Sequence, residues 1–398
     1  MNRLNLTMKK CSYSCNNKSA PGILVPVICC LFFFSTKLIA QSPGGVSAHL
    51  KLWLKADAGT STQTANAAIT TWTDFNGLVL NTTAPPSYVL NAANYNPAVF
   101  YDQASYHSLP AAIPFLNSTV FVAGELLANS SGDGYHDAWT TNDEADFPLR
   151  IKSGQLGHYG NGEQFVIYNW NRNEISFARE HIFSNKDVVI SKQGSPETTL
   201  TNAAIGTGGY YYVGKDAHLP EGFGNIAETF VYDIPLLVPA DIQKIESYTA
   251  LKYGLTLDNN AGNYVLSDGT VAWDASTYHH DVIGLVRDNA SALLQKQSHT
   301  QDDSLRIFVS SLAGTNQANT GAITNNLSSV IISHDGGLLQ GDFTASKPAG
   351  IFNRLGRTWK ITNTNFIDNF SIEIKWDSVG SFDIADIRLL VSGSPDLS

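Results

Sequence analysis

GNIAETFVYDIPLLVPADIQKIESYTALKYG, residues 224–254, changes period halfway along its length. Ala227–Tyr232 reads as a short strand. Beyond it, Ile242, Ile245, Tyr248, Thr249 and Lys252 recur at spacings of three and four, the period of one helix face. Pro239 suits the first helical position, Asp241 falls in the positively polarised first turn, and Gly254 can close the end in a left-handed cap. A helix is therefore predicted over Pro239–Tyr253, its Ile and Tyr face packed on the part of the chain that precedes it.

Working outward, the remaining apolar segments are short and bounded by Gly, Asn, Asp and Pro. On the N-terminal side they are Leu50–Lys55, Val120–Gly124, Gln164–Tyr168, Glu174–Ala178, Asp187–Ser191 and Tyr210–Val213. After the helix come Asn263–Trp273, Val282–Val286, Leu305–Val309, Val330–His334, Arg357–Thr362, Phe370–Trp376 and Ile387–Val391. In Phe370–Trp376, Phe370, Ile372, Ile374 and Trp376 share one face while Ser371, Glu373 and Lys375 share the other, the alternation of a half-buried antiparallel strand. Many short strands with turn signals between them predict an all-β chain of sandwich or jelly-roll type. Its length exceeds what one core usually holds, which predicts two domains with the helix at their boundary and a second β-rich module from about Asn259.

The first forty residues carry Arg3, Lys9, Lys10, Lys18 and Lys37 and no acidic residue. They enclose an apolar run, Ile23–Phe34, that falls short of the roughly twenty residues needed to cross a bilayer. That pattern predicts a signal peptide over residues 1–40, cleaved after Ala40, and a mature chain with no transmembrane span. All four cysteines, Cys11, Cys15, Cys29 and Cys30, fall inside it, so the mature chain is expected to be free of thiols and disulfides. Removing the five basic residues leaves 20 against 35 acidic ones, a net charge of −15. Such a surface repels polyanions, so nucleic acid is not expected as a partner. The strand at Ile387–Val391 runs almost to Ser398 with no polar tail after it, as expected of a fragment of a longer surface protein.

Three stretches carry a resemblance: LKLWLKADAG (Leu50–Gly59), WTDFNG (Trp72–Gly77) and the 224–254 segment itself. Together they resemble the laminin-G-like, concanavalin A-like jelly-roll domains of bacterial surface proteins. That resemblance implies two curved antiparallel sheets with a closing helix over residues 44–257. SDGTVAWDA (Ser267–Ala275), YHHDVIGLVRDNASALLQKQS (Tyr278–Ser298), ISHDGG (Ile332–Gly337) and NRLGRTWKI (Asn353–Ile361) are similar to an uncharacterised β module that follows such jelly rolls. This implies a second, sandwich-like module over 258–398, in the manner of large secreted, adhesin-like chains of gliding Gram-negative bacteria. The C-terminal sorting domain of those chains is missing from this sequence.

Jelly rolls also host glycoside hydrolases, whose Glu-x-Asp-x-x-Glu strand aims two carboxylates into a cleft. Here Glu144-Ala145-Asp146 begins the pattern, but Leu149 stands at the third carboxylate position and Pro148 interrupts the strand, so no catalytic pair is predicted. The hard oxygen ligands of a Ca²⁺ ion could come from Asp74 and Asn76 in WTDFNG, Asp102 in FYDQAS, and Asp133 and Asp137 in GDGYHD, with ordinary Asx turns as the competing role. His279, His280 and Asp281 lack a His-x-x-x-His or Cys companion, so a structural place at a strand start is expected for them. Flat aromatic faces for sugar rings are sought in Tyr135, Trp139, Tyr168 and Trp170, with Tyr210–Tyr212 as a further group. The expected function is a secreted or outer-surface binding and adhesion protein that contacts carbohydrate or extracellular matrix without catalysis. A polysaccharide-active enzyme and a structural spacer are the alternatives.

Overall fold

The computed structural model describes residues 3–8, 41–126, 135–215, 222–258, 262–339, 350, 355–375 and 391–393. Of residues 1–40, expected to be a signal peptide, only the strand Arg3–Met8 is described, running antiparallel beside Phe370–Lys375; the four cysteines and most of the strand expected at Ile387–Val391 lie outside the described residues. The fold is all-β, built from antiparallel sheets around a single α-helix among the described residues, Pro239–Tyr253 (α1). Gly254 caps α1 with φ 64°, the left-handed conformation that glycine adopts without penalty.

Four layers of sheet stack on one another. An eight-stranded sheet includes Leu50–Lys55, Ser118–Glu125, Ile175–Ile182 and Gly224–Tyr232. Its inner face meets a five-stranded sheet and a four-stranded sheet across one core, in which Leu52, Val120, Val122 and Val231 face Trp72, Trp139, Leu149 and Tyr210. The alternate residues Trp53, Phe121, Phe230 and Tyr232 point the other way, into a second core shared with α1 and with Tyr264, Trp273, Val282 and Ile331. Beyond it, two four-stranded sheets close on Ile283, Leu285, Ile307, Val330 and Ile372 as a third core. Strands 118–125 and 224–232 are thus covered on both faces, which accounts for their near-continuous apolar sequence.

The helix was expected to present one face to the preceding sandwich. Instead every residue from Ile245 to Tyr253 is buried, Glu246 and Lys252 included, because β-structure encloses α1 on both sides. The link between the two halves is polar as well. The hairpin Ser87–Ala93/Asn96–Tyr101 turns through Asn94 and Tyr95, both at positive φ, and inserts its tip into the second half. There Asn94 Nδ2 donates to the Lys252 carbonyl (3.0 Å) and to Ser298 Oγ (2.9 Å), and its Oδ1 accepts from the His299 amide (2.9 Å). Asn96 Nδ2 reaches the same Lys252 carbonyl (2.9 Å), satisfying an acceptor that the end of α1 leaves without a helical partner.

Two buried charge clusters pin the layers. At a bulge between Ile226 and Glu228, the strand turns Glu228 toward α1. Its carboxylate accepts from Trp53 Nε1 (2.5 Å), Tyr248 Oη (2.8 Å), Tyr253 Oη (2.7 Å) and Lys252 Nζ (2.8 Å). Burial works against the charge on Lys252, but Asp57 at 3.2 Å and Glu228 outweigh it and hold the ammonium above its usual pKa. In the first core, His158 bridges Glu180 (Nδ1 to Oε1, 2.8 Å) and Asp146 (Nε2 to Oδ1, 3.3 Å), with all three side chains sealed from solvent. Burial disfavours the imidazolium, yet Glu180 and Asp146 prevail and raise its pKa to about 9.

Both clusters make measurable predictions. Glu228→Ala leaves the Trp53 indole and two tyrosine hydroxyls without their acceptor and the Lys252 ammonium with the Asp57 carboxylate alone, and a loss of about 3–5 kcal/mol is expected in chemical denaturation. Unfolding followed by tryptophan fluorescence and by circular dichroism should give coincident transitions, since the second core joins both halves. His158 binds its proton more tightly folded than unfolded, so its stabilisation is complete below its unfolded pKa of about 6.5 and fades as pH rises through about 9. The melting temperature should fall across that window, and His158→Gln should flatten the fall; an unchanged slope in the variant would assign it to another group.

Candidate functional site

Two of the four aromatic residues expected to stack on sugars are core residues. Trp139 is fully buried, donates from Nε1 to Thr229 Oγ1 (2.8 Å) and meets Tyr210 edge to face at 5.5 Å. Trp170 is also fully buried, with Phe223 at 5.8 Å. Both sit in polar stretches of sequence, but their side chains fall on the inner face, which the stretch alone does not reveal. Tyr168 is partly exposed, packs on the same core and donates to the Pro196 carbonyl. Tyr135 is partly exposed and lies against the Arg150 guanidinium (4.5 Å) and Lys152 Nζ (4.6 Å).

The proposed Ca²⁺ ligands likewise serve separate local roles. Asp74 accepts from the amides of Asn76 (3.0 Å) and Leu78 (2.6 Å), an Asx turn in which Asn76 is the capped residue. Asp102 does the same for Ala104 (3.0 Å) and Ser105 (2.9 Å). Asp137 forms a two-pronged pair with Arg150 (2.7 Å for both contacts), and Asp133 lies outside the described residues. Among the described residues no group of three or more His, Cys, Asp or Glu side chains converges as a metal site. Asp281, at φ 53°, accepts from His334 Nε2 (2.9 Å), and His334 stacks on His280 at 5.4 Å. Glu144 and Asp146 diverge: Glu144 pairs with Lys215 at the surface, whereas Asp146 is buried and accepts the amides of Ile205 (2.8 Å) and Gly206 (2.9 Å).

What the fold leaves open is the outer face of the five-stranded sheet. On the strand Gly209–Val213, Tyr210 and Val213 both enter the core although three positions separate them. The bulge between Tyr210 and Tyr212 absorbs the extra residue and turns Tyr212 outward. Register then aligns Thr140, Tyr212, Ser108, Asn81 and Thr71 in one row across five strands. Tyr106 meets Tyr212 edge to face at 5.6 Å and shares a hydrogen bond with Thr83 (2.8 Å). Lys215 Nζ lies 3.9 Å from the Tyr212 ring centroid and pairs with Glu144. The result is a partly exposed pair of phenol rings among short hydroxyl and amide side chains, with one cation and one carboxylate at its rim.

A cleft opens elsewhere, where the first turns of α1 meet the turn before Thr198–Leu200. Arg179, Gly194, Glu197, Leu237, Pro239, Ile242, Gln243 and Glu246 line it. Arg179 donates from Nη1 to Glu197 (2.7 Å) and from Nε to Glu246 (3.3 Å). Burial, reinforced by Glu197, holds the Glu246 carboxyl above its usual pKa despite the guanidinium. Behind Arg179, His181 donates from Nδ1 to Thr119 Oγ1 (2.7 Å), whose own hydrogen goes to the Ile234 carbonyl (2.8 Å). His181 Nε2 is thereby left as an acceptor for Arg179; burial, and then the neighbouring guanidinium, push its pKa down to about 2. Of the tyrosine row only Tyr212 was among the aromatics that the sequence singled out; its neighbours in the row, and this cleft, are assembled from distant strands.

Residues 241–398 match the family model of a domain of unknown function (DUF8202), a match that begins within α1 and takes in the second half of the chain. No curated protein matches the chain. Among solved structures, the sialidase of Trypanosoma rangeli in complex with the inhibitor DANA is similar at 11% identity and a TM-score of 0.37, over 51% of this chain and 33% of that one. Domain 4 of AbnA, an extracellular arabinanase of Geobacillus stearothermophilus in complex with arabinotriose, is similar at 13% identity and a TM-score of 0.37, over 50% and 98%. The binding domain of botulinum neurotoxin serotype D gives 11% identity and a TM-score of 0.38, over 83% and 73%. The chain thus spans a third of the sialidase it matches, and likenesses this distant carry no argument about activity.

Proposed function

We propose that this chain is a secreted or cell-surface binding protein that contacts carbohydrate, alone or within an extracellular matrix, without catalysing a reaction on it. The observation that supports the reading most is the row Thr71, Asn81, Ser108 and Tyr212, flanked by Tyr106, on a sheet face that no other layer covers among the described residues. Sugars present apolar C–H faces edged by hydroxyls. Phenol rings set among Ser, Thr and Asn side chains match both features. The eight-stranded sheet offers no comparable surface in its central strands, which are buried on both sides. The leader-like segment is the reason for placing the protein outside the cell. The non-catalytic reading rests on the separation of Glu144 from Asp146, which leaves the turn before Phe147–Lys152 without a carboxylate pair facing a cleft.

The test is a glycan and matrix-protein array probed with the secreted chain and with Tyr106→Ala, Tyr212→Ala and the double variant. A specific glycan signal is expected, weakened about tenfold by each single change, the size of one lost ring contact of about 1.4 kcal/mol. Absence of any glycan or matrix signal would overturn the binding function. A signal that survives the double variant undiminished would remove the tyrosine face as its site.

A further inference from the structure

The cleft beside α1 holds a charged donor that its neighbours do not saturate. The Arg179 side chain is 5% exposed, and its bonds run from Nη1 to Glu197 and His181 and from Nε to Glu246. Nη2 has no hydrogen-bond partner among the described residues, although the guanidinium lines an open cleft. A permanently charged amino group in that position favours an acceptor brought by a ligand. Glu197, 46% exposed, stands against the same guanidinium and keeps a carboxylate oxygen free to accept. Opposite them, Leu237, Pro239 and Ile242 supply an apolar wall, with Leu237 61% exposed.

We infer that this cleft is a second saccharide site, which takes a neutral sugar unit by two adjacent hydroxyls, one accepting from Arg179 Nη2 and its neighbour donating to Glu197. The C–H edge of the ring rests on Leu237, Pro239 and Ile242. Neutrality follows from the charges lining the cleft: Glu197 and Glu246 outnumber Arg179, so a ligand carboxylate would meet a negative surplus. His181 adds no positive charge, because its Nε2 is committed as an acceptor. The inference shares with the proposed function only the expectation that the ligand is a sugar; the site, its residues and its chemistry are separate from the tyrosine row.

Saturation-transfer NMR of the secreted chain with the methyl glycosides of glucose, galactose and mannose, and with glucuronate, tests it. At least one neutral glycoside is expected to bind saturably in the millimolar range, with glucuronate weaker. Glu197→Gln, an exposed change that leaves the fold intact, should weaken that binding at least fivefold by removing the charged acceptor. Arg179→Lys, which keeps the charge but loses the planar fork, should weaken it similarly. Tyr106→Ala/Tyr212→Ala should leave it unchanged, so failure of the sheet face and failure of the cleft are told apart. Loss of binding in the tyrosine variant, equal binding in Glu197→Gln, tighter binding of glucuronate, or no saturable neutral glycoside would each overturn the inference.

Discussion

One buried carboxylate carries the architecture. Glu228 gathers Trp53 from its neighbouring strand and Tyr248, Lys252 and Tyr253 from α1 at a single point between the sheets. A charge taken out of water at that depth is costly unless every lone pair is used, and here two phenols, an indole and an ammonium use them. The bulge at Ile226–Glu228 makes this possible, since regular alternation would not place Ala227 and Glu228 on the same side. The helix is therefore held by directional bonds as well as by apolar contact. Directional bonds fix its rotation and its depth, which apolar packing alone leaves looser.

With α1 fixed, the rest of the stack follows. The helix fills the space between two β-sandwiches, and its far side completes the core formed with Trp273, Val282 and Ile331. Asn94 and Asn96 then tie the hairpin tip to the end of the helix and to the Gln295–His299 segment, so the two halves share polar as well as apolar contacts. This arrangement also decides what can face a partner. The central strands of the eight-stranded sheet are consumed by packing, whereas among the described residues the outer face of the five-stranded sheet and the cleft where α1 emerges stay accessible.

Much of the fold was legible in the residues themselves. Leu50–Lys55 and Pro239–Tyr253 occupy the predicted spans, and strands such as Ser118–Glu125 extend the predicted ones by a residue or two. The hairpin Ser87–Ala93/Asn96–Tyr101 and the strands Phe147–Lys152 and Gln155–Gly160 escaped, because polar and small residues interrupt their alternation. The site was far less legible. Trp139 and Trp170 were sought at the surface because their sequence neighbours are polar, yet Trp139 turns inward by strand register, where one residue of slip exchanges the faces, and Trp170 turns inward just past the end of Gly162–Asn169.

What the sequence determined alone is the kind of structure: short strands between turn residues, one helix with its proline start and glycine stop, and a net negative charge of −10. These depend on local geometry and on composition, which every residue carries with it. Only the tertiary structure decided that α1 is buried from Ile245 to Tyr253, that Tyr212 and not Trp139 faces outward, and that Arg179 meets Glu197 and Glu246 at a cleft. Each of those depends on a bulge, a register or a contact between distant strands, and such long-range pairings leave no periodic trace in the chain.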